Sequence, residues 1–87
     1  MKSCTCIIPF FNEDVRILRV LEEAVKVKSI SEIICVDDGS TDNTLELVKK
    51  HYPYIKIISY SKNLGKSKAV RHGLQESRSQ YILLLDA

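Results

Sequence analysis

The chain has 87 residues, 45% hydrophobic and 28% charged, enough for one small domain whose thin core takes roughly 60 to 65% of the unfolded surface out of water. Thirteen basic against eleven acidic residues leave a net charge of +2, too small and too dispersed to imply nucleic acid as a partner. No apolar run approaches bilayer length and nothing near Met1 has a signal-peptide pattern, so the chain reads as soluble and cytosolic.

Cys4 to Phe10 is a nearly continuous apolar run, the pattern of a strand covered on both faces in a parallel sheet. Pro9 has no N–H for a sheet ladder, so the strand is expected to stop there, leaving Phe10, Phe11, Asn12 and Glu13 in a loop with Asn12 as a helix cap. From Asp14 to about Lys28, Ile17, Leu18, Leu21, Ala24 and Val25 recur at helical spacing, with charged residues mostly on the other side. This predicts an amphipathic helix packed on a sheet.

A second strand, Ile33 to Val36, leads into Asp37, Asp38, Gly39 and a Ser/Thr/Asp/Asn cluster. Gly39 supplies the freedom for a sharp turn, and Ser40 or Thr41 can cap the helix that follows to about His51. Side chains alternate along a strand, so Asp37 and Asp38 cannot both point the same way, and one of them is expected to face a ligand. The plainer reading is that both simply solvate a loop.

Ile55 to Tyr60 predicts a third strand and Lys66 to Ser77 a third helix. Gly73 within that helix costs about 1 kcal/mol relative to Ala, which points to close approach on the sheet. Gln80 to Asp86 closes with Tyr81, Ile82, Leu83, Leu84 and Leu85, predicting a fourth buried strand that ends in a carboxylate. His51 and His72 read as surface residues, and the four tyrosines as packing at the rim of the core. Cys4, Cys6 and Cys35 are an odd set with no fourth ligand spaced to complete a metal site, so they read as reduced, buried thiols.

Strands alternating with helices predict an α/β fold with a parallel sheet, right-handed crossovers and helices on both faces. With the fourth strand beside the first, the order is 3-2-1-4, and ligands bind outside the carboxyl ends at the switch point between strands one and four. Pro9 to Glu13, Asp37 to Gly39 and Asp86 converge there. Neither G-x-G-x-x-G nor G-x-x-x-x-G-K-[ST] is present, which excludes the usual dinucleotide and P-loop motifs. Carboxylates, two phenylalanines and the basic Lys66, Lys68 and Arg71 suit a nucleoside diphosphate instead: carboxylates accept from base or ribose, and one can hold Mg²⁺ or Mn²⁺ against the phosphates.

IPFFNE, DDGSTDNT, NLGKSKAVRHGL and ILLLDA, in that order, resemble the amino-terminal half of a family 2 glycosyltransferase with the GT-A fold, a Rossmann-like sheet. The NLGK segment is most similar to the polyprenyl- or dolichol-phosphate sugar transferases. The resemblance implies one incomplete domain over residues 1–87, the nucleotide-sugar-binding half. It implies that Pro9, Phe11 and Glu13 line the nucleotide pocket, Phe11 standing where the family often has a tyrosine that packs on the base. It also implies that Asp38 contacts base or ribose while Asp37 supports the turn, that Lys66 approaches the diphosphate, and that Asp86 is the first aspartate of a metal-binding D-x-D motif. A solvated helix-start lysine is the equally available reading of Lys66.

By the same resemblance, the second D-x-D aspartate, the acceptor-binding half and the general base lie beyond Ala87, so these residues alone would be inactive. The whole enzyme would transfer a sugar with inversion from a UDP- or GDP-sugar, with a divalent metal, to an acceptor such as a lipid phosphate or glycan. A lipid-linked acceptor would place it at the cytoplasmic face of a membrane. The rival reading is a non-catalytic Rossmann-like module that binds a nucleotide or cation at its acidic strand ends, as phospho-receiver domains do. Receivers carry their acidic pair after the first strand, whereas this pair follows the second. A further rival is an assembly module, because an apolar fourth strand at a sheet edge invites self-association.

Overall fold

The computed structural model describes residues 3–87. Its elements run β1 (Cys4–Phe10), α1 (Ile17–Val25), β2 (Glu32–Asp37), α2 (Thr44–His51), β3 (Lys56–Ser59), α3 (Lys66–Glu76) and β4 (Tyr81–Leu84). The strands form one four-stranded sheet in the order β3-β2-β1-β4, and every pairing is parallel. The α/β expectation and the strand order both hold.

Alternation along the central strands sorts the core into two layers. Cys6, Ile8, Phe10 and Cys35 pack with Ile17, Leu21 and Ala24 of α1 and Val48 of α2. Ile7, Ile34 and Val36 point the other way, against Ala69 of α3. Fully burying each such aliphatic side chain contributes about 1.5 to 3 kcal/mol. Gly73 lets α3 settle onto β1, since a Cβ there would stand 2.8 Å from Ile7 Cγ2.

Several local expectations need correction. The first strand does not stop at Pro9: Pro9 pairs with Val36 and Phe10 with Asp37, and Phe10 is buried in the core. A prolyl N facing away from a ladder bond costs nothing, so the strand can continue through it. Helix α1 starts at Ile17 rather than Asp14, and Asn12 does not cap it. Strand β4 is not buried. Its four residues are 38 to 48% exposed, because β4 is the sheet edge and α3 packs over β1 and β2.

Candidate functional site

The parallel register brings the carboxyl ends of β1 and β2 level, Phe10 beside Asp37. On the other side of β1, Leu84 pairs with Ile7, and Leu85 N–H donates to the Ile7 carbonyl at 3.1 Å. The chain therefore carries Asp86 up alongside the β1 exit. Between these ends lies a cleft of about 190 Å³ lined by Pro9, Phe10, Phe11, Glu13, Asp38, Lys66, Asp86 and Ala87. Pro9, Phe11, Glu13, Asp38, Lys66 and Asp86, the residues singled out from sequence, all meet in it. A larger hollow, about 440 Å³, lies at the opposite end of the sheet among Val25, Val27, Ile30, Tyr54 and Lys56, away from the converging carboxylates.

The two aspartates of the turn divide their work as alternation requires. Asp37 is buried; its Oδ1 accepts from Ser40 N–H at 2.9 Å and its Oδ2 from Ser59 Oγ at 3.0 Å. It holds the turn together. Asp38, 5% exposed, points the other way. Its Oδ1 accepts from Leu64 N–H at 2.7 Å and its Oδ2 from Gly65 N–H at 3.1 Å, while its carbonyl accepts from Asn63 Nδ2. Each carboxylate oxygen has two lone pairs, so Asp38 keeps acceptor capacity towards the cleft.

The far wall is equally constrained. Asn12 adopts φ +51°, a left-handed conformation that Asn tolerates better than most residues. Its Oδ1 accepts from Thr41 N–H at 2.7 Å and Asp42 N–H at 3.3 Å, pinning the loop after β1 to the loop after β2. Neither Ser40 nor Thr41 caps α2, which has no side-chain cap. Instead Asp42 Oδ1 accepts from the Thr44 N–H and hydroxyl, and Thr44 Oγ1 accepts from Glu13 N–H at 2.9 Å. The Glu13 carboxylate takes both Nε and Nη2 of Arg16, each at 3.1 Å. Phe11 is 42% exposed at the cleft, its ring free to stack on a planar ligand.

Lys66 opens α3, and its ammonium pairs with Asp86 Oδ1 across the cleft mouth. One residue behaves differently from its sequence reading: His72 is not simply a surface residue, because its Nδ1 is 2.8 Å from the Tyr60 hydroxyl and the two rings stack. Burial, with the nearby Asp38 charge, raises the Tyr60 pKa. The three cysteines are free. Burial pushes Cys6 up to about 11 and Cys35 up to about 12, which makes them packing residues rather than nucleophiles.

Among the described residues, no three His, Cys, Asp or Glu side chains cluster to hold a metal by themselves, and no helix is long and apolar enough to cross a membrane. The cleft does offer hard oxygen donors, and the ammonium of Lys66 already occupies one of them as a stand-in cation. That donor set fits a cation bound by one or two carboxylates plus ligand phosphates, the arrangement usual for Mg²⁺.

Comparison with known proteins agrees with this architecture. Dolichyl-phosphate beta-glucosyltransferase of Saccharomyces cerevisiae is 43% identical over 94 residues, covering 93% of this chain and 28% of that protein. The chain thus spans under a third of this relative's length. A mannosyltransferase from Pyrobaculum calidifontis, solved with GDP-mannose and Mn²⁺, superposes with a TM-score of 0.86 at 23% identity, over 95% of this chain and 26% of that one. Glucosyl-3-phosphoglycerate synthase from Mycobacterium tuberculosis, solved with Mn²⁺, UDP and glucosyl-3-phosphoglycerate, gives 0.83 at 21% identity, over 98% and 33%. At these identities the two structures establish the shared fold. The family description "Glycosyl transferase family 2" matches residues 5–87: the chain belongs to that family.

Proposed function

We infer that residues 1–87 form the nucleotide-sugar-binding part of a glycosyltransferase, and that the cleft holds the nucleoside diphosphate of the donor. The observation that carries this reading is the convergence of Pro9, Phe11, Glu13, Asp38, Lys66 and Asp86 on one cleft at the β1, β2 and β4 exits. Phe11 stacks on the base; a phenyl ring supplies the π-face without a hydroxyl. Asp38 accepts from a base N–H or a ribose hydroxyl, Glu13 closes the β1 side, and Lys66 meets the diphosphate. Asp86 would hold Mg²⁺ or Mn²⁺, which when bound would neutralise charge on the diphosphate leaving group.

In the whole protein an acceptor oxygen attacks the anomeric carbon as the bond from that carbon to the diphosphate breaks, inverting the configuration. A hydroxyl acceptor would give its proton to a general base outside residues 1–87, whereas the oxygen of a lipid phosphate is already anionic at neutral pH and would attack without one. The relationship to a dolichyl-phosphate glucosyltransferase supports a lipid-phosphate acceptor; such an acceptor would put the site of action at a membrane, for which we propose the cytoplasmic face, and the apolar β4 edge suits packing against an acceptor-binding part. These 87 residues alone would then lack transferase activity and self-associate through β4. Sedimentation as a concentration-independent monomer would contradict the self-association.

The test is calorimetric titration with UDP and with GDP in the presence of Mn²⁺, repeated on Phe11→Ala. Stacking on an aromatic is worth about 1 to 3 kcal/mol, so the variant should bind the preferred nucleotide at least about fivefold more weakly. Absence of binding to the unsubstituted chain, or equal binding by the variant, would remove the base from this cleft.

A further inference from the structure

Lys66 is fixed more firmly than a helix-start lysine needs to be. The residues before it, Leu64 and Gly65, give their backbone N–H groups to the buried Asp38 carboxylate. Lys62 and Asn63 lie against Gly39 so closely that a Cβ there would stand 2.3 Å from the Lys62 carbonyl carbon. The start of α3 is therefore locked to the end of β2. Its first side chain spans the cleft mouth to Asp86, which follows β4 on the far side of β1. The pair is solvent-accessible, with side chains 57% and 76% exposed, so it can open without disturbing the core.

We propose that the Lys66 ammonium is a place-holding cation that masks Asp86 in the empty cleft and changes partner, from Asp86 to the donor diphosphate, when nucleotide enters. The proposal rests on the nucleotide reading of the cleft. A divalent cation arriving alone must displace an ammonium from Asp86 and meets like charge. A diphosphate arriving alone attracts that ammonium and leaves Asp86 free. Each ligand therefore prepares the cleft for the other, and by linkage the effect is reciprocal. Loss of the lysine charge uncouples them: metal alone gains access to Asp86, while nucleotide alone loses its cation.

The test uses the 87-residue chain, with Mn²⁺ alone followed by electron paramagnetic resonance of the free ion, and UDP and GDP alone followed by calorimetry. Lys66→Met is compared with the unsubstituted chain and with Lys50→Met. Lys50 is exposed in the last turn of α2 and is not among the residues that line the cleft. An exposed ion pair contributes up to about 1 kcal/mol, so Lys66→Met should bind Mn²⁺ about two- to fivefold more tightly and metal-free nucleotide more weakly, with Lys50→Met unchanged in both. Equal gains in Mn²⁺ affinity from both substitutions would reduce the effect to net charge and overturn the exchange. No gain from Lys66→Met, with nucleotide still bound by the unsubstituted chain, would overturn the exchange and leave the nucleotide reading standing. Nucleotide bound by none of the three chains would overturn both.

Discussion

Gly39 and the Lys62 carbonyl carbon are in backbone-to-backbone contact, with room for no side chain between them: a Cβ on Gly39 would lie 2.3 Å from that carbon and 2.5 Å from Asn63 N. This contact welds the acidic turn after β2 to the loop that opens α3. Gly65, the other glycine of the weld, has φ +103° but nothing within 4 Å of a Cβ.

The two glycines therefore separate steric from conformational cost. Gly65→Ala meets only backbone strain, about 2 kcal/mol. Gly39→Ala adds a clash with backbone that cannot rotate away, and its total should be roughly twice as large. Urea denaturation midpoints of the two variants measure the difference, and equal midpoints would show that the two loops separate easily.

Asp38 is expected to be structural as well as ligand-facing. Hydrogen bonds to charged groups are worth about 1.5 to 3 kcal/mol each, and Asp38→Ala removes two. Water can replace part of the loss at this partly open site, so about 3 kcal/mol is expected. Asp38→Asn keeps one acceptor oxygen and should lose about 2 kcal/mol. Amide hydrogen exchange at Leu64 and Gly65 reads the clamp directly: protection there should vanish in Asp38→Ala while that of β1 persists. Unchanged protection at both amides would contradict it.

Cys35 gives the pH dependence a sign. Its folded pKa, pushed up to about 12 chiefly by burial and further by Cys6, lies above the usual 9.0. Below pH 9 both the folded and unfolded thiols are protonated and the group has no pH-dependent effect. As pH rises past 9, the unfolded chain loses its proton first, so stability falls, by up to about 1.4 kcal/mol per pH unit for this group. Cys35→Ala starts less stable because of the cavity it leaves, but its denaturation midpoint should fall less steeply between pH 9 and 11. Parallel curves would show that the thiol ionises freely in the fold.

The legible and illegible parts of the chain differ in physical kind. Strand order and the meeting of Pro9 to Glu13, Asp37 to Gly39 and Asp86 followed from apolar runs ending in polar strand exits, because a parallel sheet must bring those exits to one side, whereas the choice of the six individual cleft residues, Lys66 at a helix start among them, came from the family resemblance of the four motifs. The exposure of Ile82 and Leu84 was not legible: their composition is that of a buried strand, and only the position of α3 over β1 and β2 leaves them uncovered. Asn12 suited a helix cap by type, yet it caps a neighbouring loop 29 residues away in sequence, a contact no local pattern encodes. Phe10 entered the core because Pro9 could keep its place in the ladder beside Val36. The Tyr60 and His72 pair had no signal beyond two residues 12 positions apart.

Whether the cleft between the β1, β2 and β4 exits receives a nucleoside diphosphate can be read most directly from amide chemical-shift mapping on adding UDP or GDP with diamagnetic Mg²⁺. Perturbations are expected to concentrate at Phe10, Phe11, Glu13, Asp38, Lys66 and Asp86. Perturbations gathered instead around Val27, Ile30, Tyr54 and Lys56 at the opposite end of the sheet, or none with either nucleotide, would contradict nucleotide binding in the cleft.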